Sequence, residues 1–276
     1  MKTVLITGCS SGIGAATAAR LVDTGWEVWA SARRPETLGD LEAAGCRTVA
    51  LDVTDEASMT AAVRAVLDGS GRIDALVNNA GYSQSGALES VDVDDVRRQF
   101  ETNVFGLLRL TQLVLPTMRA QGSGRIVNIG SMGGKLTFPG GGAYHASKYA
   151  IEAISDALRF EVGGFGIQVV LVEPGLITTE FDAKVAAGMP EGEGPYVAFN
   201  AAVLKATTEA YAGPMAKLGG PPEAVAKVIA KALTVKNPKP RYTVTPSAPA
   251  AMITRRVLGD RGWDLAMKAQ FPQPRA

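Results

Sequence analysis

The chain has 276 residues, 46% of them hydrophobic and 20% charged, with a formal net charge of +1. That composition allows an ordinary buried core and excludes the strongly basic face of a nucleic-acid binder. Two cysteines, Cys9 and Cys46, exclude a disulfide framework and a cysteine metal centre, and fit a reducing, cytoplasmic setting.

The opening "MKTVLITG" has too short an apolar run for a signal peptide and predicts a buried strand over 3–7. No apolar run reaches the length of a membrane span. The turn "VLITGCSSGIG" follows, then a helix from about Gly12 that stops at Gly25. Glycines at 8, 12 and 14 let the backbone turn tightly and approach a pyrophosphate, and the helix start offers unpaired N–H groups to it. "EVWAS" (27–31) predicts the second strand. Ala32 then stands where an NAD binder places an acid for the ribose 2′-hydroxyl, and Arg33 and Arg34 follow. Paired guanidiniums suit a 2′-phosphate, and the Ser10 hydroxyl can join them, so NADP(H) is expected over NAD(H). The alternative is a solvated arginine pair opening a loop.

Further strands are predicted at 47–51, 73–78, 124–130 and 167–173. Between them lie helices: one capped by Asp55 and ending at Gly69, others at about 92–121 and 143–163. Apolar strands alternating with helices predict an α/β fold, a Rossmann-type doubly wound parallel sheet covered on both faces. After Thr179 the composition turns to Gly, Ala, Met and Pro; residues 182–220 are read as a mobile insertion forming a substrate lid. "RYTVT" (241–245), between Pro240 and Pro246, predicts a last strand, and the whole of 1–276 is expected to be one domain.

"TGCSSGIG", "LDVTD" (51–55), "NNAG" (78–81), "ETNVFG", "IVNIGSMGG", "YHASK" (144–148) and "EPGLITT" (173–179) occur in this order. In this the chain resembles the short-chain dehydrogenase/reductase family, over about residues 3–180. The glycine loop, the arginine after the second strand and the extended C-terminal region look like its hydroxysteroid dehydrogenase-like branch. The resemblance implies hydride transfer between the cofactor and a ketone or secondary alcohol. It implies that Ser131 holds the substrate oxygen and Tyr144 moves the proton. Lys148 would lower the tyrosine pKa and grip the nicotinamide ribose, and Asn103 would anchor a proton-relaying water. Gly8, Ser10, Ser11, Gly12, Ile13 and Gly14 would hold the phosphates, with Arg33 and Arg34 on the 2′-phosphate. Asp52 and the Val53 backbone would read the adenine, and Asn79, Ala80 and Gly81 would steady the loop by its ribose. Pro174, Gly175, Ile177 and Thr179 would position the carboxamide.

His145 is the one histidine in the chain. On a helix Tyr144 and Lys148 are four apart and share a face, whereas His145 is turned about 100° away. It is therefore expected to be a bystander facing solvent, a neighbouring helix or a subunit contact. A histidine-based hydrolase is disfavoured, since there is no second histidine and no nucleophile elbow. Lysine and oxidised nicotinamide, both cationic, are expected to pull the phenol down from its usual ~10. Met189, Tyr196, Phe199, Leu204 and Met215, facing Met132 and Phe138, suggest an apolar pocket for a lipophilic, steroid-like carbonyl. The alternatives are a polyketide-type or small aliphatic carbonyl, or a nonenzymatic NADP-binding regulator, which could dispense with Ser131, Tyr144 and Lys148. No metal is expected. A homo-oligomer, dimer or tetramer, is expected from apolar residues on more than one side of the two long helices: Phe105, Leu107, Leu108 and Leu113, then Ile151, Ile154 and Leu158.

Overall fold

The structure, a computed structural model, describes residues 1–179, 188–190 and 194–274. Strand β1 (Thr3–Ile6) sets the pattern: Val4 and Ile6 point to one side, Leu5 to the other, and all three are fully buried. A strand buried on both faces needs a cover on each, and each such side chain contributes roughly 1.5–3 kcal/mol by leaving water. The covers come from helices in the crossovers. On one side helices α1 (Gly12–Asp23) and α8 (Pro222–Thr234) bring Ala18, Leu21, Val225 and Ile229 against β1. On the other, α3 (Glu56–Ser70) and α5 (Leu107–Gln121) bring Met59, Val63, Leu110 and Val114.

The remaining strands are β2 (Glu27–Ala32), β3 (Arg47–Ala50), β4 (Ala75–Asn78), β5 (Gly124–Ile129), β6 (Ile167–Pro174) and β7 (Arg241–Val244). All pair in parallel, in the order β3-β2-β1-β4-β5-β6-β7. The order reverses direction between β1 and β4, which opens a crevice at the carboxyl ends of the strands. The predicted doubly wound sheet is thus present. Helices α2 (Gly39–Ala43), α4 (Val93–Phe100), α6 (Gly142–Gly163), α7 (Val197–Ala212) and α9 (Ser247–Gln270, kinked at Gly259) complete the order.

A buried polar chain ties sheet to helices. Asn78 Nδ2 donates to Asn128 Oδ1 (2.9 Å) and Thr111 Oγ1 (3.0 Å), and Asn128 Nδ2 donates to Ser155 Oγ (2.9 Å). This links β4, β5, α5 and α6, and removing one partner would strand a buried group at about 1–3 kcal/mol.

Three boundaries differ from expectation. Asp55 caps α3, accepting from Ala57 N and Ser58 N, but the helix runs past Gly69 and ends before Gly71, at φ +70°. Gly69 lies inside the helix, and glycine is required there because a Cβ would meet the Trp29 ring at 2.7 Å. The predicted helix over 92–121 is broken by a wide π-type turn over Glu101–Gly106. The predicted lid at 182–220 lies partly outside the described residues; its described part is helix α7 and a short turn at Pro214–Leu218.

Candidate active site

The glycine turn fills the crevice between β1 and β4. Gly8 (φ +71°) and Gly12 (φ +59°) occupy backbone conformations that side chains resist. A Cβ on Gly14 would collide with the Gly8 carbonyl. Ser11 caps α1 with no side-chain hydrogen bond, so the first-turn N–H groups are not consumed by it. Ser10 is exposed beside them and Ile13 packs on the core. Asn79 Nδ2 donates to Thr7 O (2.9 Å) and Gly8 O (3.0 Å), while Thr7 Oγ1 accepts from Asn79 N and Ala80 N. Thr7, absent from the sequence expectations, is thus the post to which the loop after β4 is tied.

Ala32 ends β2, and Arg33 and Arg34 follow, both exposed and in no ion pair among the described residues. Burial pushes the Tyr82 phenol up, partly offset by the charges of Arg98 and Arg33. Asp52 Oδ1 accepts from Thr54 N (2.9 Å) and Thr54 Oγ1 (2.8 Å), which fixes its carboxylate. Val53 is buried, and Gly106 passes so close that a Cβ there would strike the Val53 carbonyl. On the far side, the segment after β6 is pinned by Leu176 N to Ser247 Oγ (2.9 Å) and by the pairing of Ile177 with Gly220. It leads from Pro174 and Gly175 to Thr179, whose Cγ2 lies 3.4 Å from where a Cβ on Gly12 would be. The glycine turn and the segment after β6 therefore face each other.

Ser131 caps the short turn after β5, and its Oγ accepts from Gly133 N at 3.0 Å. Tyr144, in the first turn of α6, is hydrogen-bonded to Ser131. Lys148, one turn on, is buried; its Nζ donates to Ile129 O (2.8 Å) and lies 5.7 Å from the Tyr144 ring centre. The expectation of a lowered phenol does not hold for the chain by itself: burial pushes Tyr144 up, only partly offset by Ser131. Burial also pulls Lys148 down, to about 8.

Asn103 lies in the π-type turn. Its Oδ1 accepts from Tyr82 N (3.0 Å), and its Nδ2 donates to Tyr82 O (2.9 Å) and Ser147 Oγ (3.0 Å). A Cβ on Gly81 would press against that amide. Both ends of the Asn103 amide are thus engaged by protein, and a relaying water would have to share them. Ser147, another residue the sequence did not single out, passes the contact on to Tyr144 O at 2.7 Å. His145 corrects the expectation outright. It faces neither solvent nor a neighbouring helix, but is buried against the loop between β5 and α6.

Below this corner, Glu152 Oε2 meets Lys135 Nζ (2.5 Å) and Arg241 Nη2 (3.1 Å), and Glu152 lies against Glu173. On the substrate side, Trp263 Nε1 donates to Thr137 O (3.0 Å), and the Trp263 and Phe138 rings are 5.5 Å apart. Met132, Phe138, Met189 and Leu204 are half-buried. Met215 is exposed, Phe199 faces a separate pocket with Pro272–Pro274, and the Tyr196 hydroxyl donates to Glu89 (2.5 Å).

Residues 2–190 match the family model for the short chain dehydrogenase. The chain belongs to the short-chain dehydrogenase family. This dehydrogenase is 37% identical to "Oxidoreductase BOA17" of Botryotinia fuckeliana over 90% of each chain. It is 36% identical to an "NADPH-dependent 3-dehydrocapnine reductase" of Ornithobacterium rhinotracheale over 89% of each. Among solved structures, a short-chain dehydrogenase from Streptomyces avermitilis superposes with a TM-score of 0.80 at 37% identity, covering 97% of this chain and 98% of that one. A family member from Burkholderia phymatum in complex with NAD also superposes at 0.80, at 25% identity, over 100% and 98%. The dehydrogenase is accordingly an oxidoreductase acting on CH–OH or C=O groups of small molecules, in a family that uses nicotinamide cofactors. Among the described residues no helix is long and apolar enough to cross a membrane, and no side-chain cluster could hold a metal ion.

Proposed function

We propose that this chain transfers hydride between NADP(H) and a ketone or secondary alcohol with an apolar body. The observation that carries the reading is the corner where Tyr144 bonds Ser131 and Lys148 Nζ stands 5.7 Å from the phenol ring. When bound, the nicotinamide supplies or accepts the hydride. In reduction the Tyr144 hydroxyl gives its proton to the substrate oxygen, and in oxidation takes it back. The Ser131 hydroxyl donates to the same oxygen and stabilises charge as it develops. Lys148 favours the phenolate by its charge and holds the nicotinamide ribose; the two groups titrate as a pair. Asn103 fixes the Tyr82 loop and, through Ser147, the first turn of α6.

The chain fits the nucleotide: Gly14 packs directly on the Gly8 carbonyl, which keeps the turn tight against the start of α1, and α1 starts with its side-chain cap unused. Arg33 and Arg34, exposed at the end of β2 and in no ion pair among the described residues, support NADP(H), as does the NADPH dependence of the 3-dehydrocapnine reductase; an NAD complex in the Burkholderia relative is the counterweight. An apolar substrate is supported by Phe138 and Trp263 beside the Ser131 loop, with Leu88 and Val203 packed on its far end at Gly142 and Gly140. A hydroxysteroid-type substrate is one member of that class.

The test is NADPH consumption over a panel from small aliphatic to large apolar ketones, repeated with Tyr144→Phe. Large apolar ketones are expected to be reduced best. The variant is expected to lose ~10²–10⁴-fold in turnover with NADPH affinity unchanged. A fully active Tyr144→Phe variant would overturn the reading.

A further inference from the structure

His145 has no part in the chemistry just described, yet the chain builds a mould around it. Its ring is 7% exposed. Nδ1 lies 2.9 Å from Gly133 O, and Nε2 accepts from Phe138 N at 3.2 Å. One partner can only accept and the other can only donate, so the neutral Nδ1–H tautomer alone satisfies both. Glycines stand on either side: a Cβ on Gly133 would be 2.6 Å from Nδ1, and one on Gly141 2.8 Å from Nε2.

The loop so held is the one that carries Ser131. The Gly133 peptide is gripped at both ends, its N–H by Ser131 Oγ and its C=O by His145. Ser131 in turn bonds Tyr144, the residue before His145, which closes the circuit on α6. At the other end of the loop the Phe138 ring lies 6.0 Å from the imidazole and 5.5 Å from Trp263.

We propose that His145 is a positioning residue: its neutral imidazole spans Gly133 and Phe138, aiming the Ser131 hydroxyl at one end and setting the Phe138 wall at the other. The proposal rests on the Ser131–Tyr144 reading above. A second proton on the ring would set Nε2–H against Phe138 N–H, donor against donor. The titratable and charged groups around it are Tyr144, edge-on at 5.7 Å, and Lys148 on the next turn; Lys135 in the loop, paired with Glu152; and Arg255 on α9, over the Trp263 ring and paired with Asp260. Acting on the imidazole itself are burial, which lowers its pKa, and the Gly133 carbonyl, which raises it. The bridge is therefore whole at neutral pH and is lost as pH falls below the ordinary histidine value.

The test uses the full chain, NADPH and two accepted ketones, one small and one bulky and apolar. His145→Asn keeps a donor near Gly133 O, and His145→Gln keeps an acceptor near Phe138 N. The Gln variant should lower kcat on both ketones by about tenfold or more, since it releases the Ser131 end. The Asn variant should hold kcat on the small ketone and raise KM for the bulky one. In the Asn variant the low-pH fall of kcat/KM for the bulky ketone should disappear. Tyr144→Phe, run alongside, separates the two ideas: if it is active, the underlying reading fails. If it is dead while both histidine variants keep wild-type kcat, KM and pH profile, the positioning role alone is overturned. A uniform loss of kcat in both, with the low-pH limb unmoved, would also overturn it.

Discussion

Lys148 pays for its position in stability. Burial moves its pKa from 10.5 to about 8, which is roughly 3 kcal/mol against the charged form. A cation whose native pKa is depressed costs stability below that value, and the cost is relieved as pH rises from about 8 toward 10.5. Lys148→Met is therefore expected to unfold at higher denaturant than the parent at pH 7, by roughly 1–3 kcal/mol, with the gap closing toward pH 10.5. The same variant should lose turnover and bind NADP(H) more weakly, whereas Tyr144→Phe keeps the affinity; calorimetric titration separates them. At the end of β2, Arg33→Ala with Arg34→Ala should weaken NADPH by roughly 1.5–3 kcal/mol per lost phosphate bond and leave NADH unmoved. Equal affinities of the parent for the two nucleotides would refute that. Ser131, 13 residues upstream of Tyr144, enters through the family resemblance, whereas the shared face of Tyr144 and Lys148 is legible in the sequence because a four-residue spacing survives any packing. The orientation of His145 was not: a 100° turn on a helix says which face it leaves, and nothing of the loop that folds back over that face.

Where β6 ends against α6, two carboxylates meet. Glu152 and Glu173 are both buried, and Glu152 Oε1 has no hydrogen-bond donor among the described residues if both are ionised. Burial and the Glu152 carboxyl push Glu173 up, so a protonated Glu173 can donate to Glu152 Oε1. A carboxyl with a raised native pKa contributes stability at low pH and loses it as pH rises through that value. Glu173→Gln keeps a donor at every pH. Its stability relative to the parent should therefore increase between pH 5.5 and pH 8, read as a shift in denaturant midpoint. A constant difference would mean that Glu173 is not held protonated in the folded chain. Sequence reading located every strand to within two residues because continuous apolar runs of four to eight residues have few other uses. It missed the π-type turn at Glu101–Gly106, since one wide turn leaves the apolar period nearly unchanged. It took Gly69 for a helix stop, where close packing on Trp29 is the reason for the glycine.

Across the whole molecule, the two long helices spend their apolar residues differently from expectation. Leu107, Ile151 and Leu158 are buried against the sheet, Leu108, Leu113 and Ile154 are half-buried, and only Phe105 of the seven is exposed. The outward apolar set is instead Phe105, Tyr149 and Phe160, at 51%, 44% and 91% exposure. These are costly to leave in water, and a dimer or tetramer covering them is the expected state. Sedimentation across a concentration series checks it: a monomer throughout would refute it, and Phe160→Glu should shift any assembly toward smaller species if that residue is covered. The order of the strands in the sheet was not readable from residue patterns, which give each element but not its neighbours.

Trp263 gives the wall beside Ser131 an optical voice. Of the three tryptophans, Trp26 and Trp29 are buried at β2, with Lys2 and Arg47 over their rings. Trp263 alone packs at a tilt on Phe138 and donates to a backbone carbonyl of the loop between β5 and α6. Changes in indole fluorescence on adding a ketone thus report the movement of that wall, in light rather than in turnover, even for molecules the chain binds but never converts.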